Sequence, residues 1–279
     1  MASPSDPLSQ PQEAVRVAYA TGRMLGVDDF QAEQTYHRGR LARVLTAAFG
    51  AGTISGLKVQ SNLAAAAADV ELQVTPGLAI DRAGRIIDVP YTVCLRLQNF
   101  LDGKPDTDLS DAFKGGALVA DVFLTFVACD RGKTPSFATM DDYDATDAFT
   151  ANRLLDSFAM QLVLRPEADP KLPQDPWQGV GPLRAPGSNA ADPTADALKQ
   201  HILDAKDGPS FAPLEYPSDP KFDRTSVFLA RLKITATQDA PGARPKYDVT
   251  KLDINNLARL FLYPASLLAR WAGLTTGQV

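Results

Sequence analysis

Residues 24–59, MLGVDDFQAEQTYHRGRLARVLTAAFGAGTISGLKV, run from a helix start into a strand and set the frame for the rest of the chain. Asp28 is placed to accept the free backbone N–H groups of a first helical turn, and Gln31 to reach back as the other half of a capping box. Asp29 and Glu33 add negative charge at the positive end of the helix dipole. Phe30, Gln34, His37, Leu41, Val44 or Leu45, and Ala48 recur at intervals of three and four, so they share one stripe. Arg38, Arg40 and Arg43 crowd the later turns, where cations suit the C-terminal end, and Gly50 and Gly52 stop the helix. The stripe is apolar only in its second half. Residues 41–49 are therefore expected to pack on β-structure, and Phe30, Glu33, Gln34 and His37 to face another subunit.

Outward from the helix the chain reads as strands. Val15 to Tyr19 alternates briefly and predicts a short strand; Thr53 to Gln60 predicts the strand after the helix; the Ala64 to Ala68 run is a connection. Val70 to Val74, Leu78 to Ile80, Ile86 to Val89 and Tyr91 to Leu97 form a meander, broken by Thr75-Pro76-Gly77 and by the turn Asp81-Arg82-Ala83-Gly84-Arg85. Neither glycine turn is a phosphate loop, because no helix start and no Lys-Ser/Thr pair follows. Leu109 and Phe113 share a helical turn within a polar stretch. Ala117 to Cys129 is the most apolar run and predicts a central strand, Phe158 to Leu164 another, and Ser226 to Ala236 a third. Ile254 to Trp271, divided by Pro264, is either core closure or a docking face.

These elements give an α+β, mainly β, fold class: an N-terminal amphipathic helix packed on an antiparallel β-sandwich or meander, with a long proline-rich excursion. Residues 1–14, rich in Pro, Ser and Gln, read as a flexible N-terminal arm or strap. Residues 15–165 hold the helix and β-rich core. Residues 166–220 carry eleven of the 21 prolines and one short helix, Thr194 to Ala205, and residues 221–279 complete the core.

The 279 residues carry a net charge of −5 and a pI near 5.1, which gives no general attraction to nucleic acid or anionic membranes. No apolar run reaches membrane-spanning length and no signal-peptide pattern opens the sequence, so the expectation is synthesis in the cytoplasm. Cys94 and Cys129 sit in strand-like runs and read as buried thiols, with one disulfide as the alternative. The only histidines are His37 and His201, and no His or Cys pair has zinc spacing. Ser55 lies in Thr53-Ile54-Ser55-Gly56, which misses the nucleophile elbow because residue 53 is Thr. Thirty-three acidic residues leave a glycosidase-type carboxylate pair open, though aromatics to stack a sugar are few. Asp141, Asp142, Asp144 and Asp147 fall in one polar loop and are the metal candidates, for calcium, but the loop lacks the turning glycine and the distal Glu of an EF-type site. No catalytic residue and no cofactor is assigned.

One further pattern is informative. Gly22-x-x-Leu25-x-x-x-Asp29-Phe30-x-x-Glu33-Gln34-x-Tyr36, the following Arg40 and Arg43, Gly52-Thr53-Ile54-Ser55-Gly56-Leu57-x-Val59 and Val74-x-Pro76-Gly77-x-Ala79-Ile80-Asp81-x-x-Gly84-Arg85 resemble the opening of a family of structural proteins associated with phage tails and phage-tail-like contractile injection systems. Asn152-Arg153, Val227-x-Leu229-Ala230, and Asn256-x-x-Arg259 with Tyr263-Pro264 and Leu267-Leu268 continue the resemblance. Ala48-Phe49-Gly50 departs from it, since a His-Gly pair is common there. The resemblance implies a non-enzymatic part of a baseplate, tail or fibre attachment, assembled into a virion or injection particle. Its partners would be other tail or baseplate proteins and copies of itself. A carbohydrate- or receptor-binding domain at a fibre base and, further off, a cell-wall hydrolase are the alternatives.

Overall fold

The computed structural model describes residues 6–9, 13–62, 70–135, 149–174, 200, 202–203 and 213–271, with the backbone alone at 133, 135, 149–150 and 269–271. The architecture is mainly β, in antiparallel sheets. Helix α1 spans Val27–Phe49. The strands that follow are β1 (Gly52–Gly56), β2 (Val59–Asn62), β3 (Glu71–Val74), β4 (Gly77–Ile80), β5 (Ile86–Val89) and β6 (Val93–Arg96). Two short helices, α2 (Leu97–Asp102) and α3 (Asp106–Ala112), lead to β7 (Phe113–Lys114) and the long pair β8 (Ala117–Pro135) and β9 (Phe149–Leu164). The chain closes with β10 (Val227–Thr237), β11 (Lys246–Asn255) and helix α4 (Ala265–Trp271).

The meander is three strands, each broken once. β1 pairs with β4 and β4 with β5, while β2 pairs with β3 and β3 with β6. The predicted strand Thr53 to Gln60 is thus two strands on either side of a crease, where Leu57 takes a left-handed φ of 56°. The crease crosses the sheet: the Leu57 N–H donates to the Pro76 carbonyl at 3.2 Å, and the strands opposite break at Thr75-Pro76 and Pro90 to Thr92. Gly56 and Gly77 meet there with no room for a side chain, since a Cβ on Gly56 would stand 2.9 Å from Gly77 Cα. The guanidinium of Arg259 holds the turn, donating to the Leu57 carbonyl at 2.7 Å and to the Asn256 carbonyl at 3.0 Å. Burial without a carboxylate beside it pushes Arg259 down to about 10.

The second sheet runs β11-β10-β8, with β7 and β9 both on the far side of β8. Leu118, Ala120, Val122, Leu124 and Phe126 alternate onto one face and join Leu57, Leu72, Val74, Ile87, Leu101, Leu109 and Leu232 in a single core. The alternate residues of β8 are buried as well. Phe123 packs with Phe228 and with Tyr216, which comes from the second described end of the proline-rich excursion. The excursion itself, at 175–199, 201 and 204–212, lies outside the described residues, as does most of its predicted helix.

Several expectations are corrected. Val15 to Tyr19 forms no strand, and both its ends are exposed. The N-cap lies two residues before Asp28: it is Gly26, the helix begins at Val27, and Asp29, not Gln31, reaches back, its carboxylate accepting the Gly26 N–H at 2.9 Å. Both cysteines are free and exposed rather than buried, because Cys94 falls on the outward face of β6 and Cys129 lies beyond the reach of the core. The strands predicted at Ala117 to Cys129 and Phe158 to Leu164 are both longer, since β8 and β9 extend through Pro135 and Phe149 as a two-stranded ribbon. β10 covers β8 only as far as Leu124, so the ribbon projects past its neighbours.

Candidate functional site

The distinctive surface is one face of α1. Val27, Phe30, Gln34, His37, Leu41, Val44 and Ala48 follow strict 3-4 spacing and all seven are exposed; Phe30 is 55% and Val44 58% exposed. This is the a/d pattern of a helix that expects another helix. The stripe was predicted to be half core and half contact, yet Leu41, Val44 and Phe49 all stand in solvent. In α1 only Ala42 is buried, and at about 100° per residue it lies roughly a third of a turn round the helix from the stripe. The four residues predicted as a subunit contact lie together on this side. His37 is exposed and pairs with Glu33 at 2.8 Å between Nε2 and Oε1. The other Glu33 oxygen, Oε2, has no hydrogen-bond partner among the described residues. Phe30 and Gln34 complete the patch.

What fixes α1 is a small-residue seat and a set of arginines. Gly84, at φ 79°, lies against the helix so closely that a Cβ there would overlap the Ala42 carbonyl oxygen and approach Thr46 Oγ1 to 2.6 Å. Gly84→Ala should therefore lift α1 from the turn while the β core stays folded. We expect hydrogen exchange in residues 27–49 to accelerate with the global unfolding transition shifted by only about 1–3 kcal/mol; unchanged protection in α1 would refute the seat. Beside it, Asp6 accepts from Arg38 at 3.0 Å and from Arg85 at 3.5 Å, so residues 6–9 of the predicted flexible arm lie on this chain's own helix. Arg85 also donates to Asp81 at 2.6 Å and Thr225 at 2.7 Å and stacks over Phe126 at 4.6 Å. A cleft of about 130 Å³ remains between Leu8, Arg38, Leu41, Arg85, Phe126 and Asp156.

A second feature is a buried ionic cluster that the sequence reading missed. Asp121, in the middle of β8, is fully buried and accepts from Arg231 at 2.8 and 2.9 Å and from Arg165 Nη1. The same two guanidiniums hold the excursion's ends. Arg165 donates to the Glu215 carbonyl at 2.6 Å, and Arg231 to the carbonyls of Pro170 and Lys171 at 2.5 and 2.9 Å. Arg82 adds Glu215 and the Tyr216 hydroxyl, the latter at 2.7 Å. Burial raises Tyr216 well above the ordinary phenol range, so it stays a neutral donor to the Ser226 carbonyl. A lone charge inside an apolar strand run was the available signal for this cluster.

No group of three or more metal-ligating side chains occurs among the described residues. Asp141, Asp142, Asp144 and Asp147 lie outside them, as does His201. Ser55 is exposed in β1, opposite Leu78. No described helix is long and apolar enough to cross a membrane.

No family model matches the sequence, and no curated protein sequence matches it. Among solved structures the chain is similar to a crystal structure of TssK, at 10% identity and a TM-score of 0.31. The alignment covers 85% of this chain and 41% of that one, so this chain spans less than half the length of TssK.

Proposed function

We propose that this chain is a non-enzymatic structural component of a phage tail or contractile injection particle, a baseplate, tail or fibre-attachment part, and that it works through subunit contacts made by α1. The observation that carries the reading is the exposed stripe. A helix this long, with apolar residues on a face its own domain leaves in water, has its stabilising partner elsewhere. The ion-paired base supports the same reading, since Asp6, Arg38, Arg85 and the Gly84 seat fix the helix in place and so present the stripe in one orientation.

The test is incorporation. In particles assembled with the double variant Phe30→Asp/Leu41→Asp, the chain should be absent or lost on gradient purification, while the isolated variant keeps its stability within about 0.5 kcal/mol, because both side chains are exposed. Wild-type occupancy of the variant in purified particles would sink the proposal.

A further inference from the structure

We infer that α1 pairs with α1 of a second copy of this chain, antiparallel, about a two-fold axis passing between Thr35 and Tyr36. The inference rests on α1 being a contact face, and adds the partner and its direction. Three observations carry it.

The first is the order of charges along the helix. Asp28, Asp29 and Glu33 all precede the midpoint, and Arg38, Arg40 and Arg43 all follow it. A parallel pair would lay acid beside acid and base beside base; an antiparallel pair lays each acidic half along a basic one, and opposes the two helix dipoles as well. The second is that the stripe reads nearly the same in both directions: Val27, Phe30, Gln34, His37, Leu41, Val44. With the axis between Thr35 and Tyr36, Val27 meets Val44 of the second copy, Phe30 meets Leu41, and Gln34 meets His37. Apolar layers face apolar layers, and the polar layers meet at the centre, where an amide and an imidazole can hydrogen-bond. Every contact then occurs twice, as an isologous interface requires. The third is Glu33. It flanks the seam on the side that brings it to Arg40 of the second copy; its side chain is 26% exposed, and its Oε2, shielded within this chain, has no hydrogen-bond partner among the described residues.

The full chain can test this by sedimentation velocity. Glu33→Arg alone and Arg40→Glu alone each place like charges across the seam twice and should weaken self-association by about tenfold or more. Mixed in equal amounts, the two variants should form a heterodimer, because both contacts become Arg with Glu; the double variant Glu33→Arg/Arg40→Glu should regain the homodimer. A parallel seam would bring Glu33 to Arg38 instead, and neither rescue would occur. Direction is checked independently in a Cys94→Ser/Cys129→Ser background: a Gln34→Cys chain and a His37→Cys chain should oxidise to the mixed disulfide in preference to either homodisulfide. A monomeric wild-type chain, an unrescued mixture, or a dominant homodisulfide through position 34 would overturn the inference. If any of these came with particles that still lose the Phe30→Asp/Leu41→Asp chain, the assembly reading would stand and only the two-fold pairing would fall.

Discussion

Asp121→Asn should lower the unfolding free energy by about 3–5 kcal/mol. The carboxylate is fully buried and is the shared acceptor of Arg165 and Arg231. The amide keeps its shape and one acceptor oxygen, but leaves Arg231 in a poorly hydrated site without a carboxylate and Arg165 with Glu167 alone, at 3.1 Å. For a chain of this size the loss should lower the melting temperature by roughly 10 °C. The mechanism has a sharper signature than the loss alone. Replacing all three charges together, Asp121→Leu with Arg165→Met and Arg231→Met, removes the uncompensated charge and should recover a large part of the stability. It will not restore the hydrogen bonds from Arg165 and Arg231 to the carbonyls of Glu215, Pro170 and Lys171. The triple variant should therefore be stable in its β core yet cut faster by protease within residues 166–220. A triple variant less stable than Asp121→Asn would show that the cluster acts through its hydrogen bonds and not through charge balance.

Gly77→Ala should cost about 3 kcal/mol, at the upper end of what one added carbon does in a packed interior. The new Cβ would overlap the Ser55 carbonyl oxygen and lie 2.5 Å from the Leu57 nitrogen, and these are backbone atoms of the facing strand with no rotamer to escape into. Gly115 gives the comparison: it has a left-handed φ of 54° with nothing within 4 Å of a built Cβ, so Gly115→Ala should cost only about 1 kcal/mol, the conformational part. Equal losses in chemical denaturation would mean that close approach at the crease is not what position 77 requires.

Much of the fold was legible because local pattern and tertiary environment agree there. The 3-4 spacing of α1, the alternation around Val70 to Val89 and the apolar runs of β8 and β10 each report a buried face or a regular helix. What escaped had no local sign. β11, KYDVTKLDIN, is mostly polar because it lies at the sheet edge and buries only Val249. The crease puts a leucine, not a glycine, in the left-handed region, and the side chain that holds its carbonyl is Arg259, some two hundred positions away. Asp121, Arg165 and Arg231 find one another only through strand pairing. The stripe shows the converse limit: periodicity tells which residues share a face and cannot tell whether the neighbour on that face belongs to the same chain.

The projecting ribbon of β8 and β9 has a mechanical meaning. β8 is continuous from Pro135 down to Ala117, and its last eight register pairs are with β10. Hydrogen bonds between strands lie across the strand direction. A pull along the ribbon therefore loads that whole ladder in shear, with every bond sharing the force, whereas a sideways pull would peel them singly. The ribbon is a stiff lever along its own axis and a weak one across it, and tension enters the domain at the strand that Asp121 anchors.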